Sequence, residues 1–162
     1  HRLYGIDYDR IEVVIHPQSI VHSMVEFNDG AVKAQLSPPD MRLPIQYAFS
    51  YPYRWDNADL PRADWVNIGQ LDFSKPDYER FPCLKLAIDA GKKGNTYPAV
   101  LSAADEEAVN LFLSGHIKFG DIARLVSQSL DEHNPTDTTS LDSIAAAEKW
   151  ARQKITDLVR SL

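Results

Sequence analysis

The periodicity of this 162-residue chain changes once, at Pro82, and that change constrains the fold more than any other feature. Before Pro82, short β-branched runs alternate with turn residues and prolines. After it, apolar residues recur three and four positions apart, the spacing of one helix face. A chain divided in this way is α+β: a partial, mainly antiparallel sheet followed by a C-terminal helical bundle. We expect residues 1–75 to form the sheet domain, 76–98 a connector with a short helix, and 99–162 the bundle.

Residues 11–16, Ile-Glu-Val-Val-Ile-His, read as a buried strand stopped by Pro17, which removes a ladder donor. Ser23–Phe27 and Ala31–Leu36 alternate in character around Asn28-Asp29-Gly30, whose Asp-Gly pair supplies the positive-φ positions of a hairpin turn. Asp40 then caps a short helix through Met41, Ile45, Ala48 and Phe49, ended by Pro52. Residues 53–82 show no sustained period and read as a long connection with one short strand near Gln70–Phe73. Cys83–Ala90 reads as a helix stopped by Gly91 and Gly94. Leu101, Ala104, Ala108, Leu111 and Phe112 form a stripe ending at Gly115, and Ile122, Leu125 and Val126 mark the next helix. A Thr-rich run to Thr139 makes a break, after which Ser140 caps a last helix striped by Ile144, Ala147, Ala151, Ile155, Leu158 and Leu162.

Composition narrows the function. A net charge of -6 argues against nucleic acid as a partner, because phosphate neutralisation needs clustered Lys and Arg. The single cysteine, Cys83, cannot form an internal disulfide and sits among apolar residues, so a buried free thiol in a reducing, cytoplasmic setting is expected. No apolar run approaches the roughly 18 residues of a membrane span, so no membrane association is expected.

Several residues carry chemistry in principle. His16 and His22 flank the Pro17-Gln18-Ser19 turn and could line a cleft. No third ligand accompanies them, and a hydrogen bond to backbone at a strand end is the plain reading for His16. Met41 reads as a core methionine, and Arg42 as the partner of Asp40 in a surface ion pair. Asp105-Glu106-Glu107 cannot converge on one point, because a helix turns once in about 3.6 residues. Asp105 stands three residues after Ser102, a spacing suited to a helix's first turn. Asp56, Asp59 and Asp64 with Trp55 and Trp65 fit a solvated connector better than a carbohydrate site. No Gly-x-Gly-x-x-Gly links a strand to a helix, so no dinucleotide phosphate cradle is present in these residues.

The run from His16 to Glu26, with Ala34-Gln35-Leu36 and Pro39-Asp40-Met41-Arg42-Leu43-Pro44-Ile45 after it, resembles the second half of 1-deoxy-D-xylulose 5-phosphate reductoisomerase. The likeness continues through Gly69-x-Leu71-x-Phe73, Pro76-Asp77-Tyr78-Glu79-Arg80-Phe81-Pro82-Cys83-Leu84 and Leu101-Ser102-Ala103-Ala104-Asp105-Glu106. The resemblance implies an enzyme that rearranges 1-deoxy-D-xylulose 5-phosphate and reduces it to 2-C-methyl-D-erythritol 4-phosphate in isoprenoid biosynthesis, using NADPH and Mg²⁺ or Mn²⁺. It implies that Ser19 and His22 are hydrogen-bonding groups close to the nicotinamide and substrate, and that Met41 packs on the nicotinamide face. In the family the dinucleotide-binding fold and the metal-holding carboxylates come earlier in the chain, so no catalytic residue and no metal ligand is expected in these residues.

The resemblance further implies a missing N-terminal half as partner and a homodimer built through the sheet. The chain by itself is expected to be inactive and without bound cofactor, in the cytoplasm or in a plastid-like organelle of a eukaryote. The rival expectation is a stand-alone assembly or binding module that has lost catalysis. The sequence departs from the family where Ser102 and Asp105 replace two asparagines, and neither a hydroxyl nor a carboxylate offers an amide's paired donor and acceptor.

Overall fold

The computed structural model describes residues 1–135 and 140–160. The fold is α+β, with a small antiparallel sheet and a set of helices that dominates the C-terminal part. It divides into two compact units, Val13–Pro76 and the pair His1–Glu12 with Asp77–Leu162.

In the first unit, β1 (Val21–Glu26) and β2 (Val32–Leu36) form a two-stranded hairpin. Its turn is closed by Phe27 N–H donating to the Ala31 carbonyl at 2.8 Å, and Asp29 Oδ1 accepts from Ala31 N–H at 3.0 Å. Gly30, at φ +81°, takes the left-handed position that an Asp-Gly turn requires. The register runs Met24 opposite Ala34 and Glu26 opposite Val32, but slips between Val21 and Ser23, leaving His22 as the additional residue of a β-bulge. Helix α1 (Arg42–Ser50) starts where Asp40 Oδ1 accepts the Arg42 N–H at 2.9 Å, satisfying one first-turn donor. A single turn, α2 (Trp65–Ile68), is capped by the Asp64 side chain accepting from Asn67 N–H at 3.1 Å.

The strands expected at 11–16 and 70–73 do not form. One bridge joins Ile15 to Ser74, with N···O distances of 2.9 and 3.0 Å. An extended segment becomes a strand only when a neighbour completes its ladder, and these residues have a partner at one point alone. Ile11, Val13, Val14 and Ile15 accordingly remain exposed rather than buried.

The other unit carries α3 (Cys83–Lys93), α4 (Tyr97–Leu113), α5 (Phe119–Glu132) and α6 (Leu141–Arg160). Val100, Ala104 and Ala108 of α4, Leu125 of α5, and Ala151 and Ile155 of α6 are fully shielded from solvent. The alanines let α4 approach its neighbours closely, and the branched residues fill the space between them. Ser140 caps α6 as expected: its Oγ accepts from Ser143 N–H at 3.1 Å, and Ser143 Oγ accepts from Ser140 N–H at 2.7 Å. Thr136–Thr139 and Leu162, which the sequence assigned to the break and to the end of the last stripe, lie outside the described residues.

Two boundaries differ from expectation. Gly91 does not stop α3, which runs on to Lys93 and closes at Gly94, φ +67°. Gly91 has a packing role instead: the Tyr8 ring occupies the space a Cβ would fill, and the Asp9–Lys92 ion pair lies nearby. These contacts explain why His1–Glu12 belongs with the helices. Nor is Ser102 near a helix start, because α4 begins at Tyr97 with Pro98 in its first turn, where a missing N–H costs nothing.

Candidate functional site

The residues that the resemblance singled out sit where the chain around the hairpin is most tightly specified. After Pro17 the backbone turns: Ser19 N–H donates to the His16 carbonyl at 3.1 Å, and Ser19 adopts φ +53°, a left-handed conformation uncommon for a residue with a Cβ. Ile20, buried, anchors the next position, and its carbonyl accepts from Ser37 N–H at 3.0 Å. His22 follows in the bulge, a device that re-aims a side chain out of the regular strand alternation. Its Nε2 lies 3.1 Å from the Ser37 carbonyl. A carbonyl only accepts, so Nε2 is the donor of this bond.

Met41 precedes α1 and is 71% exposed, outside the core that its spacing suggested. Ser19, His22 and Met41 line one hollow of about 710 Å³, together with Gln35, Leu43 and Tyr47. Its walls combine apolar surface from Leu36, Pro39 and Pro44 with a few hydrogen-bonding groups, the composition of a small-molecule site.

Asp40 also lines the hollow, and Arg42 grips it with contacts of 2.5, 3.0 and 3.1 Å. The Arg42 side-chain hydrogen bonds, reinforced by its backbone N–H, hold the Asp40 carboxyl down to about 2, while the same pairing raises the guanidinium. Asp40 is therefore anionic throughout the neutral range and unsuited to donate a proton. The pair orients the start of α1, and as an exposed ion pair it adds little stability.

The other candidates separate. His16 makes the backbone contact expected of it, with Nδ1 donating to the Asp72 carbonyl at 2.8 Å and the ring stacked on Phe73 at 4.7 Å. Asp105 and Glu106 are exposed on α4, and Glu106 pairs with Arg152 of α6 at 2.6 Å. Burial, followed by the charge of Asp105, pushes the half-buried Cys83 thiol up, away from a reactive thiolate. Among the described residues no three His, Cys, Asp or Glu side chains stand together as a metal site would require. Sequence reasoning missed the bulge at His22 and the place of Gln35, although Gln35 stands inside a motif that carried the resemblance.

Comparison with known proteins identifies the family. The model of the DXP reductoisomerase C-terminal domain matches residues 36–154. The 1-deoxy-D-xylulose 5-phosphate reductoisomerase of Moorella thermoacetica is 54% identical over 152 residues, covering 94% of this chain and 39% of that protein. Among solved structures, the reductoisomerase from Zymomonas mobilis in complex with NADPH superposes with a TM-score of 0.92 at 42% identity, over 99% of this chain and 42% of that one. A DOX-P reductoisomerase in complex with NADPH, fosmidomycin and magnesium gives 0.91 at 36% identity, over 98% of this chain and 41% of that one. The chain thus spans about 40% of the length of the curated relatives it matches.

Proposed function

The chain belongs to the DXP reductoisomerase C-terminal domain family, and from that premise we propose that it forms one wall of a reductoisomerase active site in a protein of its relatives' length. The observation that carries this reading is the convergence of Ser19, His22 and Met41 on a single, largely apolar hollow. Ser19 and His22 offer hydrogen bonds to the carboxamide of a nicotinamide or to substrate hydroxyls, and Met41 packs on the ring face. Asp40 and Arg42 hold the start of α1 so that Met41 keeps its place.

The reaction on this reading is the conversion of 1-deoxy-D-xylulose 5-phosphate to 2-C-methyl-D-erythritol 4-phosphate, with NADPH as the hydride source when bound. Mg²⁺ or Mn²⁺ would be held by the part of the enzyme that these residues do not represent, and no metal ligand is assigned here. We also propose a homodimer through the hairpin, on one face of which Met24 and Val32 are 45% and 53% exposed, an apolar surface of the kind that a second copy covers. A cytoplasmic location agrees with the single free cysteine, and no helix among the described residues is long and apolar enough to cross a membrane.

The test is NADPH oxidation with 1-deoxy-D-xylulose 5-phosphate and Mg²⁺ or Mn²⁺. It is run on the chain alone and after mixing with a separately made N-terminal part of a family member. The expected result is silence alone and recovery on mixing. Activity of the chain alone would overturn the assignment of the chemistry to other residues. Silence in both cases would favour an assembly module without catalysis.

A further inference from the structure

We infer that Gln18 and Asp72 form a clamp that positions Ser19 for its part in the reaction, an inference that rests on the functional reading above. Gln18 Nε2 donates to Asp72 Oδ2 at 2.5 Å, and Asp72 N–H donates to Gln18 Oε1 at 3.2 Å. The two bonds form a closed pair across 54 residues of sequence. The Gln18 amide has one workable orientation, because flipping it would set donor against donor and acceptor against acceptor. The other oxygen of Asp72 accepts from Gln70 Nε2 at 2.7 Å, which further restrains the carboxylate.

The neighbouring residues fix the same two segments. His16 Nδ1 donates to the Asp72 carbonyl, the His16 ring stacks on Phe73, and Ile15 bridges Ser74. Ser19 directly follows Gln18, the last of these anchors, at φ +53°, a conformation that a serine keeps only where its surroundings impose it. Ser19 is also the one residue of the turn that lines the hollow. The clamp therefore acts through Ser19: without it, the turn relaxes to a commoner backbone and the hydroxyl leaves its place. Gln18 and Asp72 themselves do not line the hollow, which makes them positioning residues.

Two variants test this. Gln18→Glu sets a second carboxylate against Asp72 and breaks the pair by like-charge repulsion. Adding Asp72→Asn restores one carboxylate and one amide with their roles exchanged. In the 162-residue chain, hydrogen exchange at the Ser19 amide should quicken about tenfold or more in Q18E and return close to the starting rate in the double variant.

In an enzyme of the relatives' length carrying this chain, Q18E should lower kcat by about tenfold or more and raise KM for NADPH, with recovery in the double variant. A role in stability alone would scale the rate with the folded fraction and leave KM untouched. Unchanged exchange in Q18E overturns the clamp. Altered exchange with unchanged KM and undiminished turnover overturns its positioning role. If the unsubstituted enzyme neither binds NADPH nor turns over while exchange responds as expected, the functional reading is overturned and the clamp itself stands. If Q18E fails to fold, a double variant that folds without restoring KM overturns the proposal.

Discussion

In the helical unit Val100, Ala104, Ala108, Leu125, Ala151 and Ile155 are wholly shielded from water, whereas between Val13 and Pro76 burial is confined to Ile20, Ser50 and Leu60. The first region is held by apolar packing, where each buried branched side chain contributes about 1.5–3 kcal/mol. The second is held by local polar devices: an Asp-Gly turn, a bulge, an Asp cap, and the Gln18–Asp72 pair. The difference teaches where function can sit. A packed core leaves no side chain free to meet a ligand, while turns and bulges hold a few exposed groups in place without burying them.

The largest effect that would sharpen this contrast is in the core. Leu125→Ala should cost about 2–5 kcal/mol in denaturant unfolding, whereas Val25→Ala on the exposed hairpin should fall within about 0.5 kcal/mol. Comparable losses at both positions would break the comparison. Gly91→Ala should come next: the added methyl displaces the Tyr8 ring and releases His1–Glu12 to faster hydrogen exchange, while α3 stays helical by circular dichroism. Unchanged exchange over residues 1–12 would show that Tyr8 does not anchor that segment.

Protonation distinguishes the regions at a smaller scale. His133 lies against Trp150 at 5.3 Å and Tyr97 at 5.0 Å, with Thr96 Oγ1 2.7 Å from its Nε2, and burial lowers its pKa from the usual 6.5. Its contribution to stability is complete above pH 6.5 and is lost as pH falls from there through the lower folded value, because the unfolded chain binds the proton more readily. The thermal midpoint of the helical unit should therefore fall on acidification through that window, and His133→Gln should flatten the fall. Asp40 behaves in the same sense at lower pH. Its contribution is complete above 3.8 and disappears as pH falls through about 2. NMR titration of its carboxyl should show a midpoint near 2, moving toward 3.8 in Arg42→Ala; a midpoint that stays put would mean that Arg42 is not the cause.

The hairpin turn, the Ser140 cap and the stripes of α4, α5 and α6 were legible in the residues themselves. Each depends on neighbours within a few positions: Asp29-Gly30 sets its own dihedrals, and Ser140 and Ser143 satisfy each other's N–H groups. The candidate site was legible by motif, since Ser19, His22 and Met41 came from the likeness to a family, and geometry then brought them to one hollow. Their spacing alone pointed elsewhere, most plainly at Met41, which periodicity assigned to a core that it does not enter.

The sequence by itself determined where helices replace turns, which faces of those helices are apolar, and where the hairpin reverses, because these follow from short-range sterics and periodic burial. Only the tertiary structure decided that residues 11–16 make one bridge rather than a strand, that Gly91 admits Tyr8 instead of ending α3, and that Asp72 meets Gln18. Each of those outcomes depends on a partner far away in the chain, and no local pattern specifies which distant group completes a ladder, fills the space of an absent Cβ, or closes a hydrogen-bonded pair.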